Sequence, residues 1–255
     1  MTDLRPSTIA PHPVASKVPQ ITALFWAVKV LSTGMGETTS DFFVKQFIPE
    51  IAVIVAGIVL AVALVLQFRS PRYVPGLYWF AVVMVSVFGT MAADVVHIVL
   101  GVPYLVSTAA FAIALAVIFI LWFRTEKTLS IHSIVNRRRE IFYWATVLVT
   151  FALGTAVGDL TAVTFGLGYF ASGVLFVIVM AVVIVAWRLR LPSVATFWAA
   201  YIVTRPLGAS FADWMGVSNQ RGGLAWGTGP VSLALAVLIV ALVGYLSVQH
   251  RRSLR

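Results

Sequence analysis

A tryptophan, nine residues, a glycine, four residues and an aspartate recur four times in this chain without any change of spacing. The sets are Trp26, Gly36, Asp41; Trp79, Gly89, Asp94; Trp144, Gly154, Asp159; and Trp198, Gly208, Asp213. The only other aspartate is Asp3, so nearly every aspartate belongs to the pattern. A fixed period of this kind marks duplication of one structural unit. Successive tryptophans stand 53, 65 and 54 residues apart, whereas first to third is 118 and second to fourth is 119. The last duplication therefore joined two halves, with RTEKTLSIHSIVNRRRE (124–140) as the splice.

Composition fixes the medium. With 60% hydrophobic residues, 11% charged residues and a mean hydropathy of +0.98, the chain is too apolar for an ordinary soluble domain. Apolar runs long enough to cross about 30 Å of hydrocarbon recur throughout. They predict eight spans, near 18–46, 50–68, 75–100, 104–123, 141–166, 169–188, 192–215 and 229–249. The expected fold is an all-α polytopic membrane bundle of about eight helices, built from four parallel two-helix repeats. Residues 1–17 form a tail, 18–123 the first membrane half, 124–140 a basic loop and 141–250 the second half. The tail has no apolar stretch before Lys17, so it reads as a short cytoplasmic segment and not as a cleavable signal.

Of the eighteen Lys and Arg, fourteen fall in the amino tail, every second connection and the carboxyl tail. The opposite connections hold only Lys45 and Arg221. The positive-inside rule then puts both termini and the 124–140 loop in the cytoplasm. The net charge of +9 orients the chain and draws anionic lipid, not nucleic acid. There is no cysteine, which removes disulfides, thiolate metal sites and a cysteine nucleophile.

At 3.6 residues per turn, positions seven, eleven and fifteen after each tryptophan share one stripe with it. The stripes continue from the tryptophans as Thr33, Glu37, Asp41; Ser86, Thr90, Asp94; Phe151, Thr155, Asp159; and Arg205, Ala209, Asp213. Gly36, Gly89, Gly154 and Gly208, off the seam, suit close helix approach or a local kink. The even-numbered spans have no ionisable residue in their interiors and read as scaffold. A carboxylate facing lipid is costly, so the four seams are expected to face one another or a wet cavity. His97 stands three residues beyond Asp94 and is expected within reach of the same site, as ligand, proton relay or interhelical hydrogen bond. Arg205 is expected to neutralise Asp213, to act as an internal tether that competes with the transported cation, or to bind an anionic substrate. Lys29, about 120° around the helix from Asp41, is expected to snorkel or to pair with another helix. The four tryptophans read as packing or interface markers.

Glu37 and the four aspartates could not all stay ionised in a low-dielectric centre, so the cluster is expected to bind protons, cations or both. Oxygen ligands with an optional imidazole suit Mn²⁺, Mg²⁺ or Ca²⁺, and Glu37, Asp41, Asp94 and Asp159 are the candidate metal ligands. No nucleophile elbow, phosphate loop or HExxH pair occurs, and an aspartate repeated four times fits a permeation path better than a catalytic dyad. The expected function is transport of a small cation, a divalent metal such as manganese, in exchange for protons. The alternatives are a proton-coupled carrier of a small organic solute and a non-transporting membrane scaffold or sensor. No cofactor is expected other than a bound divalent cation, and the partners are the lipid bilayer and the cation or proton. The glycine-rich 216–230 connection reads as a lid or as a solvated loop.

KVPQITALFWAVKVLSTGMGETTSDFF (17–43) and RPLGASFADW (205–214) resemble a family of uncharacterised bacterial multi-pass, "membrane-anchored" proteins with a GETTSDF-type motif. The resemblance runs over nearly the whole chain. It implies a bacterial inner membrane and no activity.

Overall fold

The computed structural model describes residues 16–253. Eight long helices make up nearly all of it: α1 (Ala23–Gln46), α2 (Pro49–Arg69), α3 (Pro75–Asp94), α4 (Tyr104–Glu126), α5 (Arg137–Asp159), α6 (Gly168–Arg188), α7 (Ser193–Gly216) and α8 (Thr228–Ser253). Local chemistry sets their ends. The Thr22 hydroxyl accepts from the Phe25 N–H at 3.2 Å, and the Asn136 side chain accepts from the Arg139 N–H at 2.9 Å, each satisfying a donor that the helix start leaves free. Proline opens α2 and α3, where its missing N–H is harmless. Lys127, at φ 57°, closes α4 in the left-handed conformation. Helix α5 begins four residues earlier than the 141 expected, because Asn136 caps it inside the basic segment.

Six helices are long and apolar enough to cross a membrane by length and composition: α2, α3, α4, α5, α6 and α8. Helices α1 and α7 have 24 residues each, about 36 Å of rise. They carry charged residues in mid-helix, Lys29 and Glu37 in α1 and Arg205 in α7, and fall short of such spans on apolarity, and they pack in the inner part of the bundle.

The odd-numbered helices form a closed inner ring in which α1 packs on α3, α3 on α5, α5 on α7, and α7 back on α1. Each even-numbered helix packs mainly against the odd helix that follows it: α2 on α3, α4 on α5, α6 on α7, and α8 on α1. The duplicated hairpin is therefore not the packing unit. Every hairpin reaches across to the next one, and α8 completes the circle. Residues such as Ile54 and Ile58 of α2, Ile113 of α4, Ile178 of α6 and Val237 of α8 are left exposed, a surface that only a hydrocarbon medium suits.

Two belts repeat around the ring. The residue before each tryptophan is aromatic, and each such ring meets the tryptophan of the next repeat: Phe25 with Trp79 at 5.6 Å, Tyr78 with Trp144 at 5.6 Å, Tyr143 with Trp198 at 6.2 Å, and Phe197 with Trp26 at 5.6 Å between centroids. The eight side chains form a continuous aromatic belt near the end where the amino-terminal and carboxyl-terminal segments lie. The second belt explains the glycines. A Cβ on Gly36 would meet Ser86, on Gly89 Phe151, on Gly154 Arg205, and on Gly208 Thr33, every one at under 3.0 Å. Each glycine thus receives the position-seven side chain of the next repeat, and neighbouring inner helices approach closely there.

A third contact lies at the same end as the aromatic belt. Lys17 forms a buried ion pair with Glu140 at 2.6 Å, and the Gln67 amide donates to Glu140 at 3.1 Å, which ties the lead-in to α1 and helix α2 onto α5. The rest of the expected tail, residues 1–15, lies outside the described residues.

Introducing a methyl group at Gly36 or Gly208 must push backbone as well as side chain, since Ser86 C and Val30 O stand within 2.9 Å of the new atom. Gly36→Ala and Gly208→Ala are each expected to destabilise the detergent-solubilised protein by about 1–3 kcal/mol. Gly244→Ala, at a site with nothing within 4 Å, is expected to leave the melting temperature unchanged or raised. Thermal unfolding followed by circular dichroism checks the contrast.

Candidate functional site

Inside the ring the polar seams form layers along the bundle axis. Beyond the aromatic belt comes Lys29, fully buried, with its Nζ 4.0 Å from the Phe151 ring centroid and 4.2 Å from that of Tyr201. The expected snorkelling to an interface does not occur. Position three after the tryptophan still faces the axis, because the inward face of each helix in a four-membered ring is wider than the aspartate seam. Two aromatic faces stabilise the amine there by cation–π attraction, and Nζ has no hydrogen-bond partner.

One layer further is Arg205. Its Nη2 shares its two protons among three acceptors, Glu37 Oε2 of α1 at 2.5 Å, Thr155 Oγ1 of α5 at 2.7 Å and Thr90 Oγ1 of α3. A single guanidinium nitrogen thus links α7 to the three other inner helices. The threonines can accept because their own hydroxyl protons go to backbone: Thr90 to Ser86 O at 3.0 Å and Thr155 to Phe151 O at 3.2 Å. Arg205 is 0% and Glu37 5% exposed, so this is a fully desolvated ion pair, charge-assisted on both sides. The other two guanidinium nitrogens, Nε and Nη1, have no hydrogen-bond partner. The expected pairing of Arg205 with Asp213 is replaced by pairing with Glu37. Arg205 sits one turn short of the glutamate layer and extends toward it, whereas Asp213 lies two turns away along α7.

The aspartates occupy the far end of the seams. Asp94 and Asp159 are half-buried and Asp213 is buried, and each of the three lies within electrostatic reach of Glu37, Asp41 and Arg205. Asp41 is turned outward into an ion pair with Lys45 at 2.5 Å, one helical turn on. Ala209 completes the layer of Glu37, Thr90 and Thr155 without a polar atom. Asp94 and Asp159 are the last α-helical residues before π-helical turns at Val95–Val99 and Leu160–Thr164, which the other two repeats lack. Such turns recur at functional sites. No sequence signal marked them.

Among the described residues, no group of three or more His, Asp or Glu side chains stands together in a way that could hold a metal ion. The expected ligand set Glu37, Asp41, Asp94 and Asp159 is therefore not assembled. Glu37 is turned to Arg205 and Asp41 to Lys45, which leaves Asp94 and Asp159 as a pair on neighbouring helices. His97 is not directed at the carboxylates either. The π-turn changes the angular step after Asp94, and the imidazole is held by Val102 O at 3.0 Å, Ser107 Oγ at 3.2 Å and the Tyr104 ring at 4.0 Å. It pins the connection between α3 and α4. The 216–230 connection folds back on α7 through Leu224 N to Trp214 O at 2.7 Å, Ala225 N to Val217 O at 2.9 Å and Trp226 N to Met215 O at 3.0 Å. Arg221 in it donates to the Tyr169 hydroxyl.

Sequence reasoning missed the aromatic partner of each tryptophan, although the pairs FW, YW, YW and FW stand in plain sight in the four repeats. Trp79, Trp144 and Trp198 are buried, and Trp198 Nε1 donates to Leu129 O at 2.9 Å, so these three pack the core. Trp26 is half-buried.

Comparison with known proteins reproduces the four-part division. Residues 24–73, 77–128, 142–190 and 196–252 each match one family model, described as "Repeat of Unknown Function (DUF347)". No curated protein and no solved structure matches the chain.

Removing one member of the central pair leaves an uncompensated buried charge. Arg205→Gln and Glu37→Gln are each expected to cost about 3–5 kcal/mol. The double variant should recover a good part of that, giving a coupling energy of the opposite sign. Chemical denaturation of the four proteins in one detergent measures the cycle.

Proposed function

The chain belongs to the DUF347 repeat family over most of its length, all four units included, and from that premise we propose that it is a proton-coupled carrier of a small organic solute bearing an anionic group. The observation that carries this reading is that two nitrogens of the buried Arg205, Nε and Nη1, have no hydrogen-bond partner. A buried guanidinium with Nε and Nη1 unpartnered, in the same axial core as the unpaired amine of Lys29, offers hydrogen bonds that a carboxylate accepts. Ionisable groups inside a membrane bundle mark solute and proton pathways by default. Asp94, Asp159 and Asp213, which have no ion-pair partner among the described residues, supply proton-accepting positions at one mouth of that path. On this reading the aromatic belt is one gate of the path and the aspartate end is the other. Alternating access would release the Arg205–Glu37 pair and part the belt.

Cation exchange, with a divalent metal such as manganese as cargo, is the competing reading. It requires Glu37 and Asp41 to leave Arg205 and Lys45 before a ligand shell could form, and the geometry supports it less. The distribution of basic residues supports cytoplasmic amino-terminal and carboxyl-terminal ends under the positive-inside rule, and the reading takes the membrane to be a bacterial inner membrane. The reading assigns the carboxylates to transport and not to catalysis.

The test is reconstitution in liposomes holding a pH-sensitive dye, challenged with small mono- and dicarboxylates and, separately, with Mn²⁺. Cargo-dependent proton movement is expected with a carboxylate. It should fall at least tenfold in Asp94→Asn and in Asp159→Asn at unchanged melting temperature. Proton movement driven by Mn²⁺ alone would replace this reading by cation exchange, and none with any cargo would remove transport.

A further inference from the structure

The outside of the bundle is grooved at the seam where the last repeat meets the first. Between α1, α6 and α7 runs an apolar groove of about 690 Å³, walled by Trp26, Val30, Val183, Trp187, Ala200 and Leu207. It is the reason Trp26 alone of the four tryptophans is half-buried. Along α7 the lining extends from Ser193 to Leu207, about 21 Å at 1.5 Å per residue. One leaflet contributes roughly 15 Å of hydrocarbon. The groove therefore begins at the interface on the basic end and passes the middle of the membrane, a track for one extended hydrocarbon chain.

Its interfacial end is polar and positively charged. A second, smaller cavity of about 70 Å³ adjoins it through Ile21, Ser193 and Phe197, and adds Ser130 and His132 from the connection between α4 and α5. Arg188 lies over the Trp187 ring, 5.5 Å from its centroid, at the rim. Arg190 follows in the turn to α7, and neither arginine has a carboxylate partner among the described residues. The combination is an apolar slot for a chain with unpaired cations at its mouth.

We propose that this groove binds one acyl chain of an anionic phospholipid, with the phosphate held at the basic end by Arg188, Arg190 and the Ser130–His132–Ser193 pocket. Unpaired basic residues at the cytoplasmic surface of membrane helices attract anionic headgroups by charge, and the groove converts that attraction into a site by excluding one chain from bulk lipid. The proposal does not depend on what the axial core carries.

Native mass spectrometry of the full chain in detergent, titrated with phosphatidylglycerol and with phosphatidylcholine of the same chains, tests it. Phosphatidylglycerol should give a one-lipid adduct at a concentration at least tenfold below that needed by phosphatidylcholine. Ala200→Phe and Val183→Phe, which fill the groove from α7 and α6 in turn, should each weaken that adduct tenfold or more. Replacing both Arg188 and Arg190 by Gln should bring phosphatidylglycerol to the level of phosphatidylcholine. Equal binding of the two lipids by the unaltered chain overturns the proposal. So does phosphatidylglycerol binding that survives both filling substitutions, or one that survives loss of the two arginines.

Discussion

One nitrogen of Arg205 holds the inner ring together. Through Glu37, Thr90 and Thr155 it engages all three of the other odd-numbered helices at a single level of the bundle. Its aliphatic stem meanwhile fills the space that Gly154 leaves open on α5. A leucine at this position could pack the stem's volume, but it could not give α1, α3 and α5 a shared partner. Buried ion pairs contribute little net stability compared with apolar packing and are severe when broken. The Arg205–Glu37 pair is therefore better understood as specifying one arrangement of four near-equivalent helices than as strengthening the bundle.

Near-equivalence creates the problem that this pair answers. Four copies of one hairpin can associate in several registers with similar packing energies, since each inner helix presents the same glycine and the same tryptophan. The position-seven residues Thr33, Ser86, Phe151 and Arg205 differ in size and polarity, and each seats against the glycine of the preceding helix around the ring. Ring order is thereby written in four different side chains. Outside, each even-numbered helix covers the next repeat, so no hairpin buries its own inner face and a single repeat has little reason to be stable alone.

The sequence made the repeat, the helical hairpins and the polar seam legible because all three follow from spacing. A constant interval fixes angle along a helix, and angle fixes which residues share a face. What spacing does not carry is direction between helices. Arg205 was expected to meet the aspartate on its own helix, but its length lets it cross the axis to Glu37 on α1. Lys29 stands 120° from Asp41 by helix arithmetic, yet the inward sector of a four-helix ring includes both. Of the three roles open to His97, the structure shows the interhelical hydrogen bond, to Ser107 of α4, because the π-turn at Val95–Val99 alters the angular step that the arithmetic assumes and turns the ring from the carboxylates. The aromatic residue beside each tryptophan is visible in the sequence, but which ring it meets depends on the order of the helices around the ring, which spacing does not carry.

The departures from fourfold symmetry gather where the last repeat meets the first. Glu37 is the only acid in its layer and comes from the first repeat, while Arg205 is the only cation in its layer and comes from the fourth. The one proton of the Thr33 hydroxyl of α1 is shared between Val30 O of its own helix at 2.6 Å and Thr204 O of α7 at 3.1 Å, and the side chain fills the notch at Gly208. The groove walled by Trp26 opens on this seam as well. Three of the inner contacts join repeats that follow one another in the chain, but α7 against α1 must form between its two ends, without a short connection to hold the partners near each other. Loop closure over that separation carries the largest entropic cost in the ring. A charge pair, a hydroxyl-to-carbonyl bond and a glycine notch concentrated there are what the closing contact of a ring built by duplication requires. It is also the seam at which two inner helices have the fewest covalent constraints on moving apart.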